Sequence, residues 1–343
     1  MKTNRLLHPA GPALAALLAL GTGAQADTFG SGSNAFTIDF VTVGNAGNAD
    51  DRAFDSTNNT PGNPTDDEYA SPYGGVAYTY RIGVYEISQD QIDKATNAGL
   101  IDVEAGLWTG SRPAGNMTWY EAAAFVNWLN TSTGHQAAYN LSGVGSLSLW
   151  SSGEAWQAGG ENLFRHKDAY YFLPSEDEWY KAAYHKNDGV TANYWDWATG
   201  SNSVPDGIDF SGDTTFDAVF FQGYNDSQPN DVSNVGLVSP YGTYGQSGNV
   251  QEWAESAFDG LNNSPSESRV ARGGYWFDTE QWLRPSDREI WGEGIQGSIG
   301  FRVASVPEPT SAALLAASAF PLLLRRARPS TFPRQSPPPP RRR

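Results

Sequence analysis

The sequence predicts one loop-rich domain that mixes strands with about three helices and lies between two processed ends. Three observations predict it. Apolar residues alternate early in the chain, the period of a half-buried strand. Three Ser/Thr-x-x-Gln/Glu boxes mark helix starts. The stretch from Asn187 to Gly274, rich in Asn, Asp, Gly and Ser, reads as mostly loop.

In chain order, residues 1–26 come first and read as a secretory signal. Lys2 and Arg5 form a positive start, Ala13 to Leu20 a short apolar run, and Ala24-Gln25-Ala26 a small-residue cleavage site. The run is too short for a membrane anchor. Ala35 to Val43 is a strand, with Phe36, Ile38 and Phe40 at alternate positions. Gly44 to Thr65 is a loop, and Val76 to Tyr85 a second strand candidate. Ser88–Gln91, Thr118–Glu121 and Ser175–Glu178 are capping boxes, in which the hydroxyl caps a free N–H three residues on and the Gln or Glu reaches back. The second helix sets Trp119, Ala122, Ala123 and Val126 on one face, and the third sets Trp179, Ala182 and Ala183 likewise, so these aromatics read as core.

At the far end, Val306-Pro307-Glu308-Pro309-Thr310 precedes an apolar run from Ser311 to Leu324, followed by Arg325, Arg326 and Arg328. The run is shorter than the roughly 20 residues that span a bilayer comfortably, and Pro321 interrupts it. This order is similar to the PEP-CTERM sorting signal. That resemblance implies export, transient membrane contact through the tail at residues 306–328, and removal of the tail by an exosortase-type membrane protease. Tails of that family end near the arginines. Here residues 329–343 continue as a Pro- and Arg-rich extension, read as disordered.

Nine of the 22 Lys and Arg residues and one of the 38 acids lie in the two ends, so residues 27–305 keep 13 basic and 37 acidic residues, a net charge of −24. Such a domain repels nucleic acid and anionic membranes. It suits calcium, cationic groups or neutral glycans, and it also serves plain solubility. Cysteine is absent, which excludes thiolate nucleophiles and cysteine-ligated metals. His135, His166 and His185 stand in no short metal-ligand spacing. An exported domain without disulfides is then held by its core, by hydrogen bonds or by metal.

Six landmarks follow one another: Glu86-Ile87-Ser88, Asn116-Met117-Thr118-Trp119, Phe172 to Trp179, Gly248-Asn249-Val250-Gln251-Glu252-Trp253, Arg272-Gly273-Gly274 and Gly300-Phe301-Arg302. In this order and spacing the chain resembles the formylglycine-generating (sulfatase-modifying factor) enzyme family across roughly residues 36–304. The resemblance implies an α+β fold, a loop-rich variant of the C-type lectin fold with few regular strands and about three helices, for a domain at residues 27–305. It also implies that the family's two copper-holding cysteines fall at Asp278 and Leu283. Asp278 suits only a hard metal and Leu283 ligates nothing, so the thiolate pair that favours Cu(I) is gone. Copper and the formylglycine reaction are not expected.

By the same resemblance, some relatives bind calcium through the backbone carbonyls of Gly248 and Val250 and the carboxylate of Glu252. The family's Asn or Asp three residues before Gly248 is Gly245 here, so one side-chain oxygen is lost. Two readings of Glu252 stay open, a calcium ligand and a buried structural acid bonded to loop amides. In the family the segment after the Gly-Gly step borders the substrate cleft. Trp276, Asp278, Trp282 and Arg288 follow that step. If Gly274 to Trp282 runs extended, Trp276, Asp278 and Trp282 share one side, and Tyr275 and Phe277 point to the other. The alternative packs both tryptophans inward, lets Asp278 cap a turn and pairs Arg288 with a core-edge acid.

These readings favour an exported cell-surface or extracellular-matrix protein with a non-catalytic binding domain for a glycan or peptide. The alternative is an enzyme of different, carboxylate-based chemistry, such as glycan hydrolysis, on the same scaffold; two acids about 5–10 Å apart would be required.

Overall fold

The computed structural model describes residues 24–51, 72–291 and 297–307, apart from residues 102, 105, 144, 225 and 226. Strands β1 (Gln25–Phe29), β2 (Phe36–Val43) and β3 (Tyr80–Gly83) open the fold, followed by helices α1 (Gln89–Asn97) and α2 (Trp119–Ser132). The short pairs β4 (Asn140–Leu141) with β5 (Leu147–Ser148) and β6 (Ala155–Trp156) with β7 (Asn162–His166) come next. Then follow β8 (Tyr171–Phe172), α3 (Glu176–Tyr184), β9 (Gln251–Ala257), β10 (Arg269–Arg272), β11 (Glu289–Trp291), β12 (Ile299–Gly300) and β13 (Ala304–Ser305).

One sheet runs β1-β2-β3-β13-β8, so the last described strand lies between β3 and β8. In β2, Phe36, Ile38 and Phe40 are buried and Thr37 is exposed, the alternation of a one-faced strand. The second strand candidate is shorter than expected: of residues 76–85 only Tyr80–Gly83 pair. The strand β1 includes Gln25 and Ala26, opposite Phe40 and Asp39. Cleavage after Ala26 would leave the pairs from Asp27 to Phe29, and would keep Asp27 on Arg81 at 2.7 Å. The rest of the signal and the sorting tail from Glu308 onward lie outside the described residues, as does most of the loop 44–65. Among the described residues no helix is long and apolar enough to cross a membrane.

All three capping boxes are present. Ser88, Thr118 and Ser175 accept from the N–H of Gln91, Glu121 and Glu178, and those side chains accept in return from the cap N–H at 2.8, 2.8 and 2.6 Å. The α2 stripe of Trp119, Ala122, Ala123 and Val126 is fully buried, and Trp119 donates its indole N–H to the Ala254 carbonyl at 3.0 Å. That bond ties α2 to the second sheet.

The second sheet, β11-β10-β9-β12, lies in part within the stretch 187–274 that the sequence marked as mostly loop. The strand β9 reads Gln-Glu-Trp-Ala-Glu-Ser-Ala and is buried at six of seven positions. Period-two alternation requires one wet face, and β9 has none. Its acids are buried because arginines from distant segments neutralise them. Arg165 bonds Glu255 and Glu178 at 2.7 and 2.9 Å, Arg272 bonds Glu176 at 2.6 Å, and Arg302 bonds Glu252 at 2.5 Å. Buried pairs of this kind add little net stability when intact, but removing one partner strands the other charge, at about 3–5 kcal/mol.

Candidate functional site

The site is built on the step Arg272-Gly273-Gly274 at the end of β10. Gly273 and Gly274 have φ of 101° and 65°. A Cβ on Gly274 would stand 2.8 Å from Leu283 Cδ1, so only glycine lets the chain pass. Beyond the step the chain does not run extended, as the alternation of Trp276, Asp278 and Trp282 required. It closes a turn, in which Tyr275 N–H donates to Asp278 Oδ2 at 3.0 Å and Asp278 N–H donates to the Tyr275 carbonyl at 2.9 Å. A 3-10 segment, Glu280–Leu283, follows. A carboxylate that bonds its own nearby backbone competes with a strand ladder, and here the local bond wins.

This turn places the aromatic side chains differently from the expectation. Trp276 is half-buried and meets Trp108 edge-on at 5.5 Å and Tyr275 at 5.1 Å. Phe277 is 56% exposed and stacks on Phe221 and Tyr275, each at 6.4 Å between ring centres. Trp282, on the next turn, is 37% exposed. Neither tryptophan is core. Together Trp108, Phe221, Tyr275, Trp276 and Phe277 make an aromatic shelf, with Leu107 exposed beside it. Tyr275 and Phe277, assigned by alternation to the opposite side, belong to the same surface as Trp276.

Arg288 is not on that shelf. Its guanidinium bonds both oxygens of Glu176 at 2.7 and 2.8 Å and the Phe258 carbonyl at 2.7 Å, and lies 4.1 Å over the Phe258 ring. It is the arginine of a core-edge ion pair. Asp278 stays beside the shelf. Burial pushes its carboxyl up to about 7 against the Tyr275 N–H, which draws it down, while Glu289 and Asp287 push it further up. Burial and the Glu289 charge likewise push Asp287 up to about 7. Leu283, at the second expected cysteine position, is fully buried with Trp197, Ala218 and Phe220.

Of the expected calcium ligands, the Glu252 carboxylate is engaged inside the fold. Glu252 is fully buried, and its two oxygens accept from Arg302 at 2.5 Å each, with Trp179 Nε1 adding a third bond at 2.8 Å. Glu86 stands beside it, bonded by Asn249 Nδ2 at 2.8 Å and the Val250 N–H at 3.3 Å. Burial first, and then the Glu252 charge, push the Glu86 carboxyl well above its ordinary range. Glu252 is thus already matched by the Arg302 guanidinium. A Cβ at Gly245 would lie 3.0 Å from Glu86 Oε2, so that carboxylate crowds the place of the missing side-chain oxygen. Among the described residues no three His, Asp or Glu side chains gather as metal ligands. Of the two readings of Glu252, the geometry fits the structural acid, bonded to an arginine and an indole rather than to loop amides.

The sulfatase-modifying factor enzyme 1-like domain matches residues 44–306 of the sequence. The chain belongs to this family. Among curated proteins, none matches the sequence. Two solved structures share the fold. "Treponema denticola variable protein 1" aligns at 21% identity and a TM-score of 0.54, over 82% of this chain and 99% of that one. The protein described as CarF aligns at 19% identity and a TM-score of 0.55, over 79% and 99%. The fold is thus the α+β, C-type lectin-like one that the landmarks imply, and the chain holds no cysteine.

Sequence reasoning missed Trp108, Phe221, Tyr275 and Phe277 on the shelf, and Glu86 and Arg302 at the Glu252 centre. Three consecutive aromatics directly after a Gly-Gly step were the available signal for the shelf. A strand of that composition exposes an aromatic whichever way it faces. Glu86 and Arg302 stood inside two of the six landmarks, but nothing local shows that they meet.

Proposed function

We propose that this chain is an exported, non-catalytic binding protein of the cell surface or extracellular matrix, and that the shelf holds a glycan or peptide. One observation carries the reading: the two positions that would hold copper are spent on structure, Asp278 closing the turn and Leu283 filling the core, while the same turn leaves Phe277 exposed and Tyr275 and Trp276 half-buried beside it. Exposed ring faces beside a carboxylate suit sugar rings and peptide side chains. Export rests on the two end signals of the sequence, with an exosortase-type protease as the partner that removes the tail. Intact mass of the native protein tests that part, and finding Ser311–Leu324 in the mature product would refute it. Binding of the purified protein to glycan and peptide arrays, with Trp276→Ala beside it, tests the shelf. The expected result is a ligand class bound by the native protein and lost by the variant.

A second reading, carboxylate-based hydrolysis, draws on Asp278 and Asp287, whose carboxyls are both pushed up to about 7. That places two acids near the range suited to proton transfer at neutral pH. Turnover of neutral glycosides that Asp278→Asn abolishes would replace the first reading with this one.

A further inference from the structure

A cavity of about 230 Å³ lies apart from the shelf and shares none of its residues. It is walled by Gly75 to Tyr78, by Trp156 and the turn after it, by the start of α3, and by Ser256, Gly260 and Asn262. It is smaller than the roughly 300–1,000 Å³ of a drug-sized pocket, so its occupant is about one ring in size.

The wall chemistry narrows the class. Trp156 donates its indole N–H to the Ala158 carbonyl at 2.9 Å and meets Tyr78 edge-on at 5.5 Å, so what it offers the cavity is apolar ring. Around it stand polar groups with hydrogen-bonding capacity left over. Ser175 and Ser256 accept from the N–H of Glu178 and Glu176 at 3.2 and 2.9 Å, which leaves each hydroxyl hydrogen to donate. Asn162 and Asn262 each commit one amide hydrogen, to Glu255 and to Asn162 Oδ1, and keep the other. Asp177 accepts from Gly74 N–H at Oδ1, 3.0 Å, and keeps Oδ2 as an acceptor.

The charge is settled as well. Arg165, the cation on the wall, is matched by Glu178 and Glu255. Asp177 remains, with Glu161 at the rim, and Asp50, Glu176 and Glu178 lie near enough to raise its carboxyl beyond what burial does. A pocket with that residual charge repels phosphate, sulfate and uronate groups. Donors, one carboxylate acceptor and an apolar wall match a group that is both donor and acceptor on one edge and C–H on its face.

We propose that this cavity is a second binding site, taking a single neutral sugar ring, with hydroxyls on Asp177, Ser175, Ser256, Asn162 and Asn262 and a ring face on Trp156. Its ligand is independent of whatever the shelf holds.

The test is calorimetric or NMR titration of the purified protein with methyl glycosides of neutral hexoses, with methyl glucuronide and with an alkylammonium ion. Saturable binding of a neutral glycoside, weakened at least tenfold by Asp177→Asn and unchanged by Phe277→Ala, is the expected result. Asp177→Asn keeps the size of the side chain and an oxygen for Gly74 N–H, so the fold persists, and an unchanged melting curve verifies it. Trp156→Ala is the second variant and abolishes binding. No saturable binding of any neutral glycoside overturns the proposal. So does preference for the uronide or the ammonium ion, or binding that Phe277→Ala abolishes and Asp177→Asn leaves intact. Array binding that Trp276→Ala leaves intact, with pocket binding retained, refutes the shelf alone.

Discussion

Around α3 and β9 the chain buries Arg165 with Glu178 and Glu255, Arg272 with Glu176, and Arg302 with Glu252, each carboxylate held by two or more donors. The Tyr275–Asp278 turn, which starts directly after Arg272-Gly273-Gly274, spends its one carboxylate on its own backbone and leaves Phe277 in solvent. The first region draws Glu176, Glu178, Glu252, Arg272 and Arg302 from the landmarks, and the second follows directly on one of them. The first matches charge with charge inside the fold, so that no member can be removed without stranding another. The second uses aromatic surface as a face. Charged landmark residues therefore mark the scaffold of this protein, and the rings of the turn mark its proposed binding surface.

That contrast is breakable. Arg165→Leu removes the cation between two buried carboxylates, and the expected loss is about 3–5 kcal/mol of unfolding free energy, read from urea denaturation. A loss under about 1 kcal/mol would mean that the ion pairing is ornamental. Leu283→Ala opens a cavity at the second expected cysteine position and should cost about 2–5 kcal/mol. A near-neutral outcome there would return that position to the surface.

Glu86→Gln sharpens the first half of the comparison. The folded carboxyl titrates above its ordinary 4.5, so between those values the native state holds more protons than the unfolded one. Stability from this group is full below about pH 4.5 and is lost as pH rises toward the folded value. The amide cannot lose it, so the variant is expected to be more stable than the native protein at pH 7 and to show a flatter pH profile. A variant less stable at pH 7 would show that Glu86 is needed as a carboxylate. Smaller still is the expected effect of calcium, because Arg302 already holds Glu252. Millimolar calcium should leave the melting temperature unchanged, and an increment removed by chelator and by Glu252→Ala would show that the metal displaces the arginine.

The helices were legible because a capping box is a local device: hydroxyl, three residues, then Glu or Gln. The strand β2 was legible because one of its faces is wet. The strand β9 was not, since Glu252 and Glu255 look like surface residues until Arg302 and Arg165, some 50 and 90 positions away, are brought to them. For the same reason the sequence left Glu252 and Arg288 open between ligand and structural roles, and the structure pairs both inside. The shelf was half legible. Trp276 and Asp278 lie where the Gly-Gly step suggested, but one Asp-to-backbone bond converts an expected strand into a turn and swings Tyr275 and Phe277 onto the same surface. Trp108, more than 160 residues earlier, carries no local sign that it meets Trp276.

The most direct test of the central claim is one variant measured twice. Phe277→Ala removes an exposed ring and no buried contact of the ion-paired region, so its melting curve should match the native protein while affinity for the array-identified glycan or peptide falls at least tenfold. An unchanged affinity, or a variant that unfolds several degrees lower, would contradict the division between an ion-paired scaffold and an aromatic binding face.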